Sequence, residues 1–136
     1  MYSIIIKIDR NNDGEYVKER RLKLDFATIV DIDNRLQVKC GKDFMTVLQD
    51  MINEHINFDN VVDIIYWGLI KDDPKLTRQS LINKLSRSVE DGQNDMADIL
   101  TMITDAAKES GVLKSKKDDD DEESKKPEDK EKTPLD

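Results

Sequence analysis

The stretch Asp9-Arg10-Asn11-Asn12-Asp13-Gly14 sets several oxygen ligands close together. Against the calcium-loop pattern, Asp9, Asn11 and Asp13 hold the first, third and fifth positions, and Gly14 holds the sixth, where a sharp turn is required. The pattern breaks at its twelfth position, where Arg20 replaces the bidentate glutamate. The flanking runs are strand-like, and Asn-Asp-Gly is hairpin-turn chemistry. A hairpin turn is therefore the expectation, with calcium binding the minor alternative.

Other chemistry has less to build on. Cys40 and His55 are the only cysteine and histidine, and nothing in their spacing brings them together. Cys40 reads as a small residue before a capping glycine, and His55 as a base at the polar edge of the second helix near its C-terminus. Carboxylates are plentiful but fall into no acid/base frame, and the five glycines are scattered rather than gathered in a phosphate loop. No enzyme, cofactor or metal site is expected. Arg78, Gln79, Asn83, Lys84 and Arg87 give one helix a basic face behind a short corner, so a helix-turn-helix DNA-binding regulator is the main alternative. The formal net charge of −8 opposes it, as it opposes binding to an anionic membrane.

Elements to position these residues follow from the hydrophobic period. Tyr2 to Ile8 and Glu15 to Leu24 read as two strands, with Tyr16, Leu22 and Leu24 on one parity that also holds Lys18 and Arg20. After Leu24 the period lengthens to that of a helix. Asp25 can cap a first helix with Phe26, Ile29, Ile32 and Leu36, ending near Cys40-Gly41. Asp43 can cap a second, striped by Phe44, Val47, Leu48, Met51 and Ile52. Asp59 or Asn60 opens a third whose apolar residues leave almost no polar face, so it should have neighbours all round. Asp73-Pro74 ends it, Thr77 caps a fourth with Leu81, Ile82 and Leu85, and a fifth carries Met96, Ile99, Leu100 and Ile103 up to Gly111.

The expected architecture is mainly α: a single domain over 1–113, with a β-hairpin at 2–24 and a compact bundle of about five helices within 25–111. Residues 114–136 hold seven lysines and ten acidic residues but a single large aliphatic, Leu135, too little apolar surface to offset chain entropy. A disordered acidic tail is expected there. The single cysteine excludes an intramolecular disulfide, MYSIIIKIDR is too short in its apolar part for a signal peptide, and no run approaches the ~20 apolar residues of a membrane span.

Read in order, the strand pair, LKLDFATIVDIDNRL, IIYWGL and KDDPKLT resemble the tail assembly chaperones of long-tailed bacteriophages and of their prophage and gene-transfer-agent relatives. The motif residues are Asp25 and Phe26 opening the first helix, Tyr66, Trp67, Gly68 and Leu69 closing the third, and Asp73, Pro74, Leu76 and Thr77 at the corner. Trp67 stands where that family usually has alanine. The resemblance, over roughly residues 20–110, implies a non-catalytic protein that binds the tape-measure protein, keeps it soluble and promotes polymerisation of tail-tube protein around it. It implies the host bacterial cytoplasm as the place of action and absence from the mature virion, with self-association left open. Trp67 is expected in the core or at its edge, with Gly68 letting another segment approach. Lys71, Asp72, Asp73 and Lys75 at the corner are the candidate partner-binding residues.

Overall fold

The structure, a computed structural model, describes residues 4–112; Tyr2 and the tail at 114–136 lie outside the described residues. An antiparallel hairpin of β1 (Ile4–Arg10) and β2 (Tyr16–Leu22) opens the chain. Its turn is held locally: Asn11 Oδ1 accepts from the backbone N–H groups of Asp13 and Glu15 (2.9 Å each), and Gly14 takes φ +85°, the region that only glycine enters without cost. Ile4 pairs with Leu22 and Ile6 with Arg20, but the register slips around Asp9. In a regular strand Asp9 would point away from the face that buries Ile6 and Ile8. The slip re-aims it toward Arg20.

Five helices follow: α1 (Phe26–Cys40), α2 (Phe44–Ile52), α3 (Phe58–Leu69), α4 (Arg78–Glu90) and α5 (Met96–Glu109). Asp25, Asp43 and Thr77 cap α1, α2 and α4 by accepting from the backbone N–H three residues on, and Gly41 in the left-handed conformation ends α1. Asn57, rather than Asp59 or Asn60, caps α3, which therefore begins earlier and places Phe58 at its first position. Asp95 caps α5 in a reciprocal box with Asp98.

Helix α3 packs against α1, α4, α5 and β2. Its inward face, Val61, Ile64, Ile65, Gly68 and Leu69, is buried, whereas Val62, Tyr66 and Trp67 are only half-buried and Phe58 is 60% exposed. The expectation of neighbours all round thus fails on one side, because four partners do not enclose a helix. Phe26 also departs from its expected place on the α1 stripe: it is 71% exposed, since antiparallel α3 ends beside it, where Lys71 reaches Asp25 (3.8 Å).

A two-stranded hairpin is marginal alone and needs a helical surface to cover it. Beyond β2 the chain crosses α3 at Gly68, whose carbonyl accepts from the Lys23 N–H (3.1 Å). A Cβ on Gly68 would lie 2.5 Å from Leu22 Cδ1 and 3.1 Å from Leu24 Cδ2, so these fully buried leucines would have to shift within the core. Gly68→Ala should therefore cost about 1–3 kcal/mol by overpacking, despite alanine's better helix propensity. Urea unfolding of the variant checks this; an unchanged or raised midpoint would show that the strand end is free to shift.

Candidate functional site

The corner after α3 is built from residues with different freedoms. Arg20, 8% exposed, sends Nε and Nη2 to the two carboxylate oxygens of Asp9 (2.6 and 3.1 Å) and Nη1 to Asp73 Oδ2 (2.8 Å). Lys84 of α4 closes on the same Asp9 (2.9 Å). Asp73 is thus the point at which the corner is tied to the hairpin, its carboxyl held below the usual range by the Arg20 hydrogen bond. Leu76 is buried beneath the corner, while Lys71, Asp72, Pro74 and Lys75 are exposed. The loop from Ile70 to Thr77 is longer than the three- or four-residue turn of a helix-turn-helix.

Two of the three cations on the face proposed for DNA, Arg78 and Lys84, are held in ion pairs. Arg78 engages Asp59 and Asp63 (2.8 Å to the latter), Lys39 of α1 joins the same two carboxylates, and Lys84 is held by Asp9. Gln79 and Asn83 bond each other (3.0 Å). The calcium-like loop is similarly committed: Asp9 serves Arg20 and Lys84, and Asn11 Oδ1 serves the turn. Among the described residues no group of three or more His, Cys, Asp or Glu side chains is placed to hold a metal ion.

Cys40 and His55, which spacing gave no reason to unite, line one small cavity of about 110 Å³ with Lys42 and Asn60. His55 lies past the end of α2 rather than on it, because Glu54 turns the chain at φ +69°. The Cys40 thiol accepts a long bond from Asn60 Nδ2 (3.8 Å). The partner of the Cys40 thiol in this cavity is thus an amide and not the His55 imidazole.

Beside a cavity of about 360 Å³ between β2 and the corner, lined by Arg20, Asp72 and Asp73, the described residues form two larger grooves. Between α1 and α3, an open groove of about 770 Å³ has Trp67 and Tyr66 on its floor, edge to face at 5.7 Å and 83°. Arg35 lies 3.9 Å above the Trp67 ring, so the indole face is already taken by a cation. At the groove's end stand Lys39, Asp63 and Arg78, whose two positive charges are balanced by Asp63 together with Asp59. Trp67 packs against the core at its edge and is not free for a partner without displacing Arg35.

The second groove, about 460 Å³, lies where the start of α3, the end of α4 and the start of α5 converge. Val61, Leu85 and Ile99 form its buried floor; Phe58, Val62, Val89 and Met96 form walls that stay partly or largely in water. Ser86 and Glu90 are the polar side chains that line it, hydrogen-bonded to each other (3.3 Å). Such a surface has no convergent polar groups to orient a small ligand or run a reaction, but it can bury the apolar face of another protein. Phe58 keeps helical spacing with Val61 and Ile65, and Val89 with Leu85, so the pattern alone would have buried both; they stay in water because each stands at an end of its helix.

Arg20→Met should cost about 2–4 kcal/mol, since it leaves Asp9 partly desolvated with Lys84 as its remaining cation. An unfolding free energy equal to wild type would show the Arg20 clamp to be dispensable. A pH dependence accompanies it. Burial alone would push the Asp9 carboxyl up, but hydrogen bonds from Arg20 and Lys84 outweigh this and hold it below the ordinary value. The stabilisation from Asp9 and Asp73 is then complete above the unfolded pKa near ~3.9 and lost as pH falls through the lower folded values. Denaturant midpoints measured from about pH 6 down to about pH 2 should decline more steeply for wild type than for Arg20→Met.

Compared with known proteins, the chain matches no family, no curated protein and no solved structure, so its function is argued from the geometry and the sequence alone.

Proposed function

We propose that this chain is a non-catalytic assembly chaperone of a phage-type tail, binding the tape-measure protein, keeping it soluble and promoting polymerisation of tail-tube protein around it. The observation that supports this most is the apolar groove walled by Phe58, Val62, Val89 and Met96 on an otherwise strongly charged, acidic chain. A long helical protein exposes apolar stripes before it is packed, and a groove between helices shields such a stripe by burying it. A net charge of −8 keeps the coated complexes apart while this happens. The order of motif residues from Asp25-Phe26 through Tyr66-Trp67-Gly68-Leu69 to Pro74 and Thr77 supplies the identity of the partner, by resemblance.

A DNA-binding role draws less support, because Arg78 and Lys84 are neutralised by aspartates of the same chain. Among the described residues no helix is long and apolar enough to cross a membrane.

Co-expression with the tape-measure protein encoded beside this chain, followed by fractionation, is the direct test. The tape-measure protein should move from the pellet to the soluble fraction and co-purify. Its continued insolubility, together with specific retardation of phage DNA by this chain in a gel shift, would replace the chaperone with the regulator.

A further inference from the structure

We infer that the groove between α3, α4 and α5 is the docking site for a basic amphipathic helix of the partner protein, with apolar anchors at i, i+3, i+4 and i+7 and lysine or arginine flanking them. This rests on the protein-binding reading above and names the chemistry of the segment bound.

The apolar half of the argument is the wall. Phe58 is 60% and Val89 40% exposed, and they stand on opposite helices over the buried floor of Val61, Leu85 and Ile99. Leaving both in water sacrifices hydrophobic stabilisation that a partner's side chains restore. The space runs across three helices, which suits the side of a helix presenting several anchors rather than one compact ligand.

The electrostatic half selects the occupant. Glu90 is the charged residue lining the groove, and Asp95 and Asp98 stand in the opening turn of α5 beside Met96. No basic residue lines it. Arg78, at the start of α4, is spent on Asp59 and Asp63. Glu90 in the lining, on a chain of net charge −8, attracts a basic helix and repels an acidic one. The same sign disfavours a second copy of this chain as occupant. The chain's own residues 114–136 offer Leu135 as their single large aliphatic, too little to fill an apolar groove.

The test uses the full chain and a fluorescein-labelled peptide of about 18 residues, roughly 27 Å of helix, in which leucines line one face and lysines the other. Two companions accompany it: the same peptide with glutamate for lysine, and a scrambled Leu/Lys peptide with no apolar face. Anisotropy should show saturable binding of the first alone, weakening as salt rises. Val89→Lys and Phe58→Lys should each weaken it about tenfold or more. Val17→Lys, at an exposed valine of the hairpin, should leave it unchanged. Circular dichroism of each variant establishes that the fold is kept. Equal binding of the scrambled peptide, or equal loss with Val17→Lys, would reduce the effect to non-specific charge attraction and overturn the proposal. Equal binding of the glutamate peptide would overturn its charge selectivity. Concentration-dependent dimers in sedimentation, abolished by Val89→Lys, would make the groove a self-interface instead. Because the peptides contain no tape-measure sequence, this assay can succeed where the co-expression test fails, and the reverse.

Discussion

Leu22 and Leu24 lie over Gly68, and most of the molecule is arranged around that crossing. The hairpin has only two strands and cannot stand alone, while α3 carries more apolar surface than its helical neighbours cover. Each deficiency answers the other. Seating the end of β2 on the small residue of α3 buries both leucines fully and lets the Lys23 N–H reach the Gly68 carbonyl, which a larger side chain would obstruct. From there the positions of α4 and α5 follow, because β1 packs on both of them.

The polar ties reinforce the same placement. Arg20 lies on the hairpin face that is otherwise Ile6, Ile8, Leu22 and Leu24, a position that would be costly for an unpaired guanidinium. Asp9, brought round by the register slip, accepts its bidentate fork, and Asp73 accepts the remaining arm. Farther out, Tyr16 and Arg10 at the hairpin tip reach Asp91 at the end of α4 (2.8 and 3.3 Å), and Asn94 in the following loop donates to the Lys7 carbonyl (3.0 Å). With the Lys84–Asp9 pair, these contacts tie the hairpin to the middle and the C-terminal end of α4, the end that borders the groove.

Charge and apolar surface are thereby sorted into separate places. Several cations are drawn into internal pairs: Lys39 and Arg78 with Asp59 and Asp63, Lys84 and Arg20 with Asp9. Apolar side chains face water at several places, Phe26 and Val38 among them, and at the groove Phe58 and Val89 do so together, with Glu90 beside them. The groove's lining is apolar but for Ser86 and Glu90, a surface that can bury another apolar face.

Much of the fold was legible in the sequence where the cause is local. The Asn-Asp-Gly turn, the caps at Asp25, Asp43 and Thr77, the glycine stop at Gly41 and the corner at Asp73-Pro74 each depend on a few neighbouring residues, so residue type and spacing were enough to place them. The start of α3 was not legible to the residue, because Asn57, Asp59 and Asn60 are all competent caps and the approach of the preceding loop decides among them. Long-range pairing was less legible still. Nothing near Arg20 in sequence announces that Asp73, fifty-three residues away, is its partner, nor that Cys40 and His55 share a cavity. The groove belongs to this second class: Phe58, Val89 and Met96 lie on three helices, and each alone reads as an ordinary helical residue. Local chain chemistry determined the elements; only their packing decided which apolar side chains found cover and which were left facing water.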